Sequence, residues 1–138
     1  MTEPIDIDTV LTCDEVRRED NGKAIIIGVY VSDILLSKIP ATIGMTWYLQ
    51  GKNKVEIDYE VEFKISAEGD SSFNPIEVKA NFNASPLDST AVLVLGQLPI
   101  KFERPCTLVL SKRTANDEWR ELTRRKVLVK PAIFPTAP

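Results

Sequence analysis

Apolar and polar residues alternate strictly along the eleven-residue segment Val55–Ile65. Every second side chain is apolar, and the residues between them are charged, so the period is two rather than the 3.6 of a helix. The shorter segment Ile76–Phe82 has the same pattern. Both segments are therefore predicted to be β-strands that bury one face.

Two other segments are apolar without interruption. Ala24–Val31 and Ala91–Leu95 are rich in β-branched residues and carry no charge. Such runs are typical of strands that are buried on both faces in the middle of a sheet. We therefore expect both segments to lie in the core.

Turn-forming residues separate the predicted strands. Asn21-Gly22 favours the positive φ values of a tight turn, which predicts a hairpin between Thr9–Arg17 and Lys23–Ser32. Two further hairpin connections are predicted, one after Thr42–Gln50 and one between Thr107–Arg113 and Trp119–Lys130; their turns are Gly51-Lys52-Asn53 and Thr114-Ala115-Asn116-Asp117.

The remaining local signals refine these strands. Several prolines are expected to fall between strands: Pro40, Pro75, Pro86, Pro99, Pro105 and Pro131. The apolar residues of the last strand follow two phases, which predicts a bulge near residues 121–126. Residues 33–39 form either one helical turn capped by Asp33 or an extended segment that reaches Pro40.

About seven or eight strands at this spacing predict an all-β fold, namely a single antiparallel β-sandwich of immunoglobulin-like or C2-like type. We expect one domain over residues 1–138, with flexible ends at about 1–7 and 132–138. Cys13, Trp47 and Cys106 follow the order of the immunoglobulin residues, but their spacings differ, so the resemblance implies the architecture and no disulfide.

Composition excludes several classes of function. The chain has no histidine, which removes Ser-His-Asp and Cys-His catalytic sites and all histidine-bearing zinc sites. Its two cysteines are too few for a disulfide framework and are expected to be free thiols. The acidic N-terminus lacks the features of a secretory signal, and no segment is long enough for a membrane span. A cytoplasmic protein without membrane contact is expected.

Charge is distributed unevenly along the chain. The net charge is -3, yet residues 1–100 have a balance of -8 and residues 101–138 a balance of +5. A generally basic surface for phosphate backbones is absent, so we expect no nucleic-acid partner.

The N-terminal third resembles an uncharacterised family of small bacterial proteins. The similar elements are the Cys13-Asp14-Glu15-Val16-Arg17 run, the Gly22-Lys23 turn and the Ile27-Gly28-Val29-Tyr30 segment, followed by Pro40. The resemblance implies a bacterial or phage origin. It assigns no activity and no catalytic residue.

Two charged clusters are candidate partner-binding residues. The acidic row consists of Glu56, Asp58, Glu60 and Glu62, on one face of the predicted strand. The basic cluster consists of Arg120, Arg124, Arg125, Lys126 and Lys130. A row of like charges repels itself and is relieved by a basic partner, which the basic cluster supplies either within the molecule or from a second molecule.

Other chemistry has weaker support. Cys13 lies beside arginines that lower a thiol pKa and beside acidic residues that raise it, and no histidine is present to act as its base. A straight row of carboxylates does not converge on a calcium ion, and no nucleotide-binding motif is present. We therefore expect no metal and no cofactor.

These observations favour a non-enzymatic interaction or assembly module that binds a protein partner or associates with itself. The alternative is a phage or virion-associated structural protein of the same architecture. A small thiol-dependent enzyme that uses Cys13 is the third reading.

Overall fold

The computed structural model describes residues 3–115 and 117–130, which contain ten β-strands and no helix. The strands in chain order are β1 Ile5–Cys13, β2 Glu15–Arg18, β3 Ala24–Ile27, β4 Ile34–Leu36, β5 Ala41–Asn53, β6 Tyr59–Glu68, β7 Ile76–Phe82, β8 Thr90–Phe102, β9 Cys106–Arg113 and β10 Arg120–Val129. The expected all-β class is confirmed.

The strands form three sheets. One has the order β1-β5-β8, the second β4-β10-β9-β6-β7, and the third is the pair β2-β3. Six of the pairings are antiparallel, but β10 runs parallel to β4, with Val127 opposite Ile34. The long connection between β4 and β10 allows this direction. The expectation of purely antiparallel pairing was therefore wrong for this edge.

One hydrophobic core takes side chains from both larger sheets. Its largest fully buried members include Trp47 and Phe102 from the three-stranded sheet and Phe63 from the five-stranded sheet. In β6 the odd positions from Val61 to Ile65 are buried, as the alternation predicted. Burial of apolar area of this kind is the main stabilising contribution to a fold without disulfides.

The predicted turn at Gly51-Lys52-Asn53 was wrong, because these residues belong to β5. This strand lies between β1 and β8 and does not pair with β6. A Cβ on Gly51 would lie 2.5 Å from the backbone oxygen of Asp6, beside an irregularity in the β1 register. Gly51 thus permits a close approach of two backbones instead of a turn.

The predicted strand over Val55–Ile65 begins later and ends later, because β6 runs from Tyr59 to Glu68. The preceding residues are held by side-chain to backbone hydrogen bonds. Asn53 Nδ2 donates to the Val55 oxygen (2.6 Å), and the Ala84 N–H donates to Asp58 Oδ1 (2.6 Å). Such bonds offer the backbone an alternative to strand pairing.

Strand β8 was expected at the centre of a sheet, but it lies at an edge. Residues 91–94 are only half-buried, whereas Leu95 is buried. Pro99, which was expected between strands, lies within β8 opposite Gly44. An edge strand tolerates proline, because the missing N–H can face away from the neighbouring strand.

Several local predictions are confirmed. Strand β7 has the bounds predicted for it, and β9 and β10 form the predicted hairpin. The register of that hairpin shifts between Glu121 and Thr123, which places a bulge within the predicted range. Within residues 33–39 the chain forms strand β4 at Ile34–Leu36 and then bends before Pro40, so the helical alternative is wrong and the extended one holds only for β4.

Flexible ends were predicted at about residues 1–7 and 132–138. Strand β1 begins at Ile5, which is buried and pairs with Asn53, so residues 5–7 of the predicted end belong to a sheet. The flexible end predicted for residues 132–138 lies outside the described residues. The described residues include no helix long and apolar enough to cross a membrane.

Candidate interaction surface

The predicted hairpin turn at Asn21-Gly22 is confirmed and joins β2 to β3, but both strands are shorter than predicted, because Thr9–Arg17 is divided between β1 and β2 and β3 ends at Ile27. The Glu19 N–H donates to the Lys23 oxygen (2.8 Å), and the Gly22 N–H donates to the Glu19 oxygen (3.1 Å). Gly22 has a φ of 83°, which glycine adopts without steric cost. The turn-forming residues Asn21-Gly22 therefore predicted the position of the hairpin correctly.

The burial predicted for Ala24–Val31 was wrong. Ile25 is 43% exposed, Ile27 38% and Val31 84%. The reason is that the chain leaves the larger sheets after Cys13 and returns only at β4, so β3 pairs with β2 alone. An apolar, β-branched segment that resembles a core strand thus lies at the surface.

The base of the hairpin is fixed by hydrogen bonds to the end of β1. The Tyr30 N–H donates to the Thr12 oxygen (2.8 Å), and the Tyr30 hydroxyl donates to Asp14 Oδ1 (3.0 Å). The Asp14 N–H donates to the Ile27 oxygen (3.0 Å). Burial of the ring and the bond to Asp14 raise the pKa of Tyr30 to about 12, so its hydroxyl stays a donor at neutral pH.

Gly28 lies where the chain turns from β3 toward Tyr30. Its φ is 68°, and a Cβ there would collide with the Asp14 carboxylate. The isolated glycine within the apolar run was the one sequence signal that this run is not a continuous strand. Sequence reasoning missed the exposure of Ile25 and Ile27, because nothing in the local pattern separates an exposed apolar strand from a buried one.

The two edges of the hairpin differ. Neither outer edge is paired with another strand among the described residues, but β2 lies close to β5 and β8 and β3 faces away from them. The exposed face of the hairpin carries Ile25 and Ile27 opposite Arg17 and Glu15. These four residues and the outer edge of β3 are called the hairpin surface below.

The structure divides the predicted acidic row. Glu56 and Asp58 precede β6, and only Glu60 and Glu62 lie within it. Glu62 accepts two hydrogen bonds from Arg113 (3.0 and 3.1 Å). Glu60 is exposed and makes no ion pair among the described residues.

Two members of the basic cluster also have partners within the molecule. Arg124 pairs with Glu68 (3.2 Å) and Glu121, and Arg120 lies 3.6 Å from Glu3. The Glu121 carboxylate and the charge of Glu68 raise the pKa of Arg124 above its usual range.

Next to this ion-pair network, Arg125 and Lys126 lie together at an open depression of about 290 Å³. Arg125 Nη1 donates to the Arg124 oxygen (3.0 Å). The Arg125 Nε atom is buried without a hydrogen-bond partner among the described residues. Asp33 lines the same depression, so its carboxylate offsets part of the positive charge. Lys130 lies just beyond the end of β10 and is exposed.

The two predicted clusters do not meet, because β9 lies between β6 and β10. The aromatic ring of Trp119 contacts two basic side chains of the five-stranded sheet. The Lys64 ammonium and the Arg113 guanidinium lie 4.6 Å and 4.3 Å from its ring centroid. Cations at this distance are attracted to an aromatic ring. Much of the charge on this sheet face is thus balanced by neighbours in the same molecule.

Both cysteines are buried in strands and unbridged. Cys13 is fully buried, and its thiol donates to the Thr46 oxygen (3.4 Å). Burial and the charge of Asp14 raise the pKa of Cys13, and burial and Asp70 raise that of Cys106. A nucleophilic cysteine needs the opposite shift and an accessible sulfur.

Metal-binding side chains do not gather anywhere in the described part of the chain. No group of three or more histidine, cysteine, aspartate or glutamate side chains with a geometry suited to a metal ion occurs among residues 3–115 and 117–130. The carboxylates of the acidic row are separated as described above.

The fold and the hairpin surface define an all-β domain that carries a small two-stranded hairpin, to which no further strand of the described residues is paired. The chain belongs to the Family of unknown function (DUF6941), which matches residues 8–111. The matched range includes the whole hairpin and ends within β9, so β10 and the basic cluster lie outside it. No curated protein matches the sequence at a significant level.

Proposed function

We propose that the protein is a non-enzymatic interaction module and that the hairpin surface is its docking element. The observation that carries this proposal is the exposure of Ile25 and Ile27 beside an unpaired strand edge. Exposed edges pair readily with another chain, and natural proteins usually protect them with charges, proline or bulges. Residues 24–32 contain none of the charged residues or prolines that would prevent pairing.

The partner offers an extended segment with apolar side chains. Strand addition at an edge obtains affinity from main-chain hydrogen bonds and specificity from the alternate side chains. Arg17 and Glu15 form an ion pair with each other (3.2 Å), so they leave little net charge on the exposed face. A highly charged partner such as nucleic acid or a lipid headgroup therefore has no complement on this surface.

The acidic row and the basic cluster contribute less to binding than the hairpin surface does. Glu62, Arg120 and Arg124 already pair within the molecule, and exposed ion pairs contribute only about 0 to 1 kcal/mol. Glu56, Glu60 and Lys126 are exposed and remain available at the rim of an interface. Contacts of this kind change association rates more than affinity.

The non-enzymatic part of the proposal is supported by the thiols. Cys13 and Cys106 are buried and have raised pKa values, so neither has the environment of a nucleophile. We place the module in the bacterial cytoplasm, in accordance with the resemblance of its N-terminal third and its free thiols. The two larger sheets around one core support assignment to the β-sandwich class, with immunoglobulin-like or C2-like domains as the comparison.

Position-specific photocrosslinking in the cells that naturally carry the protein tests this proposal. A photoreactive residue replaces Ile27 in one variant and Ile57 in the control, since Ile57 is also apolar and is 66% exposed. We expect one discrete crosslinked species from position 27 and none from position 57. Equal crosslinking from both positions, or none from position 27, would contradict the proposal.

A further inference from the structure

We infer that the depression beside Arg125 and Lys126 is a binding site for a small oxyanion, namely a phosphate or carboxylate group. This inference goes beyond the proposed function, because the depression shares no residue with the hairpin surface. Its volume is about 290 Å³, and it is lined by Ser32, Asp33, Thr107, Arg124, Arg125 and Lys126. Three of these side chains are basic and one is acidic, and the other two carry hydroxyl groups that can donate to an oxyanion.

The late start of β4 opens this site at the edge of the five-stranded sheet. Strand β4 pairs with β10 only at Val127–Val129, so no strand of the described residues covers residues 124–126 on that side. Their other side pairs with β9. Because side chains alternate along a strand, Arg125 approaches the depression from one face of β10, and Arg124 and Lys126 approach it from the other. The open edge thus gathers basic groups from both faces of the sheet.

The charges around the depression do not cancel. Arg124 is already neutralised, because it pairs with two glutamates. Among the described residues, Arg125 and Lys126 form no ion pair, and Asp33 forms none either. Two unpaired positive charges and one negative charge leave a net charge of +1 at the depression, which an anionic ligand balances.

The guanidinium of Arg125 has the donors that an oxyanion needs. In Arg113 and Arg124 of the same sheet, the Nε and Nη2 atoms both donate to the carboxylate of a glutamate. In Arg125 the Nη1 atom donates to the Arg124 oxygen (3.0 Å), and the Nε atom is buried without a hydrogen-bond partner among the described residues. Arg125 therefore lacks the carboxylate that the other two arginines hold. An oxyanion supplies this acceptor, and hydrogen bonds between charged groups are stronger than those to a neutral ligand.

Two features limit the affinity. Because Nε is buried, the guanidinium has to turn toward the depression before both of its donors reach a ligand. The Asp33 carboxylate repels an anion, and the depression is open to solvent, which screens its charges. We therefore expect a dissociation constant on the order of millimolar.

Nuclear magnetic resonance titration of the isotope-labelled full chain tests this inference. Sodium phosphate and sodium acetate are added in separate series at constant ionic strength, with sodium chloride as the reference salt. We expect saturable shifts in the amide signals of the lining residues with at least one of the two anions and none with chloride. Tighter binding of phosphate identifies the ligand as a phosphate group, and tighter binding of acetate identifies it as a carboxylate group.

Three substitutions and one control separate this site from general effects of charge. K126Q removes an exposed cation of the depression and should weaken binding about threefold or more, whereas D33N removes its acidic group and should strengthen binding about threefold. R125Q removes the guanidinium and should weaken binding most. K130Q is the matched control, because Lys130 is also an exposed lysine next to the end of β10 but does not line the depression.

The absence of saturable shifts with both anions would overturn the inference, as would weaker binding by D33N or equal weakening by K126Q and K130Q. Shifts spread over all basic surfaces of the protein would also overturn it, because they would show general attraction of anions. K126Q and D33N change exposed side chains, so they decide the question even if R125Q does not fold. Crosslinking from position 27 is independent of these outcomes, so failure here leaves the proposed function standing.

Discussion

Replacement of Gly28 by alanine should destabilise the protein by about 2 to 3 kcal/mol. At a φ of 68° a residue with a Cβ costs about 1 to 2 kcal/mol relative to glycine. The new Cβ also collides with the Asp14 carboxylate, which must move away. Its movement breaks the bond from the Tyr30 hydroxyl (3.0 Å), and a typical hydrogen bond contributes about 1 kcal/mol.

Chemical denaturation measures this effect, and a double-mutant cycle separates its two parts. In the Tyr30→Phe background the hydrogen bond is already absent, so Gly28→Ala should cost about 1 kcal/mol less than in the wild type. Gly44→Ala is the matched control. A Cβ at Gly44 meets no atom within 4 Å, so we expect a change within about 0.5 kcal/mol.

The reasoning fails if Gly28→Ala and Gly44→Ala give the same free energy of unfolding. It also fails if the cost of Gly28→Ala is unchanged by Tyr30→Phe, because Asp14 would then not link the two residues. A lower denaturant slope in the Gly28 variant alone would show that the hairpin had already detached from the folded state.

Three further outcomes are expected. Cys13 should react slowly with a thiol reagent at neutral pH in the folded protein. Fast labelling would support the alternative of a thiol-dependent enzyme that uses Cys13. Hydrogen bonds from Ser72 lower the pKa of Asp70, so its stabilisation is present above the pKa of the unfolded chain and is lost as pH falls through the folded pKa. Asp70→Asn should therefore lower stability at neutral pH and flatten the acid dependence, which denaturation at several pH values measures. Glu62→Gln should cost up to about 1 kcal/mol in low salt, whereas the same change at Glu60 should cost nothing measurable.

Sequence patterns that involve only a few neighbouring residues predicted the local structure correctly. Three such patterns are the alternation in Ile76–Phe82, the Asn21-Gly22 turn and the two phases of the last strand. In each case the residues that form the pattern also determine the local backbone geometry. A period of two reflects the pleat, and a glycine at positive φ reflects the lack of a Cβ. These features need no knowledge of distant parts of the chain.

Features of the fold that depend on residues distant in sequence were not predicted correctly. The apolar run of Ala91–Leu95 fits a central strand, yet β8 lies at an edge because only β5 pairs with it among the described residues. Gly51 fits a turn, yet it is required by the backbone of Asp6. In both cases the deciding neighbour is tens of residues away in sequence, so the local pattern contains no information about it.

The same ambiguity made the candidate site hard to find. Sequence reasoning sought association in charge, because the acidic row and the basic cluster are visible without a structure. The fold separates these clusters by β9 and pairs Glu62 and Arg124 with other neighbours. An apolar strand such as β3 was assigned to the core, because its composition is the same whether it is covered by its own chain or by another one.

The extent of the family match favours the hairpin as the place to look for a shared function. Residues 15–27 lie within the matched range of 8–111, whereas Arg120, Arg124 and Lys126 lie beyond its end. A property shared by the family can therefore reside in the hairpin surface, which lies within the matched residues.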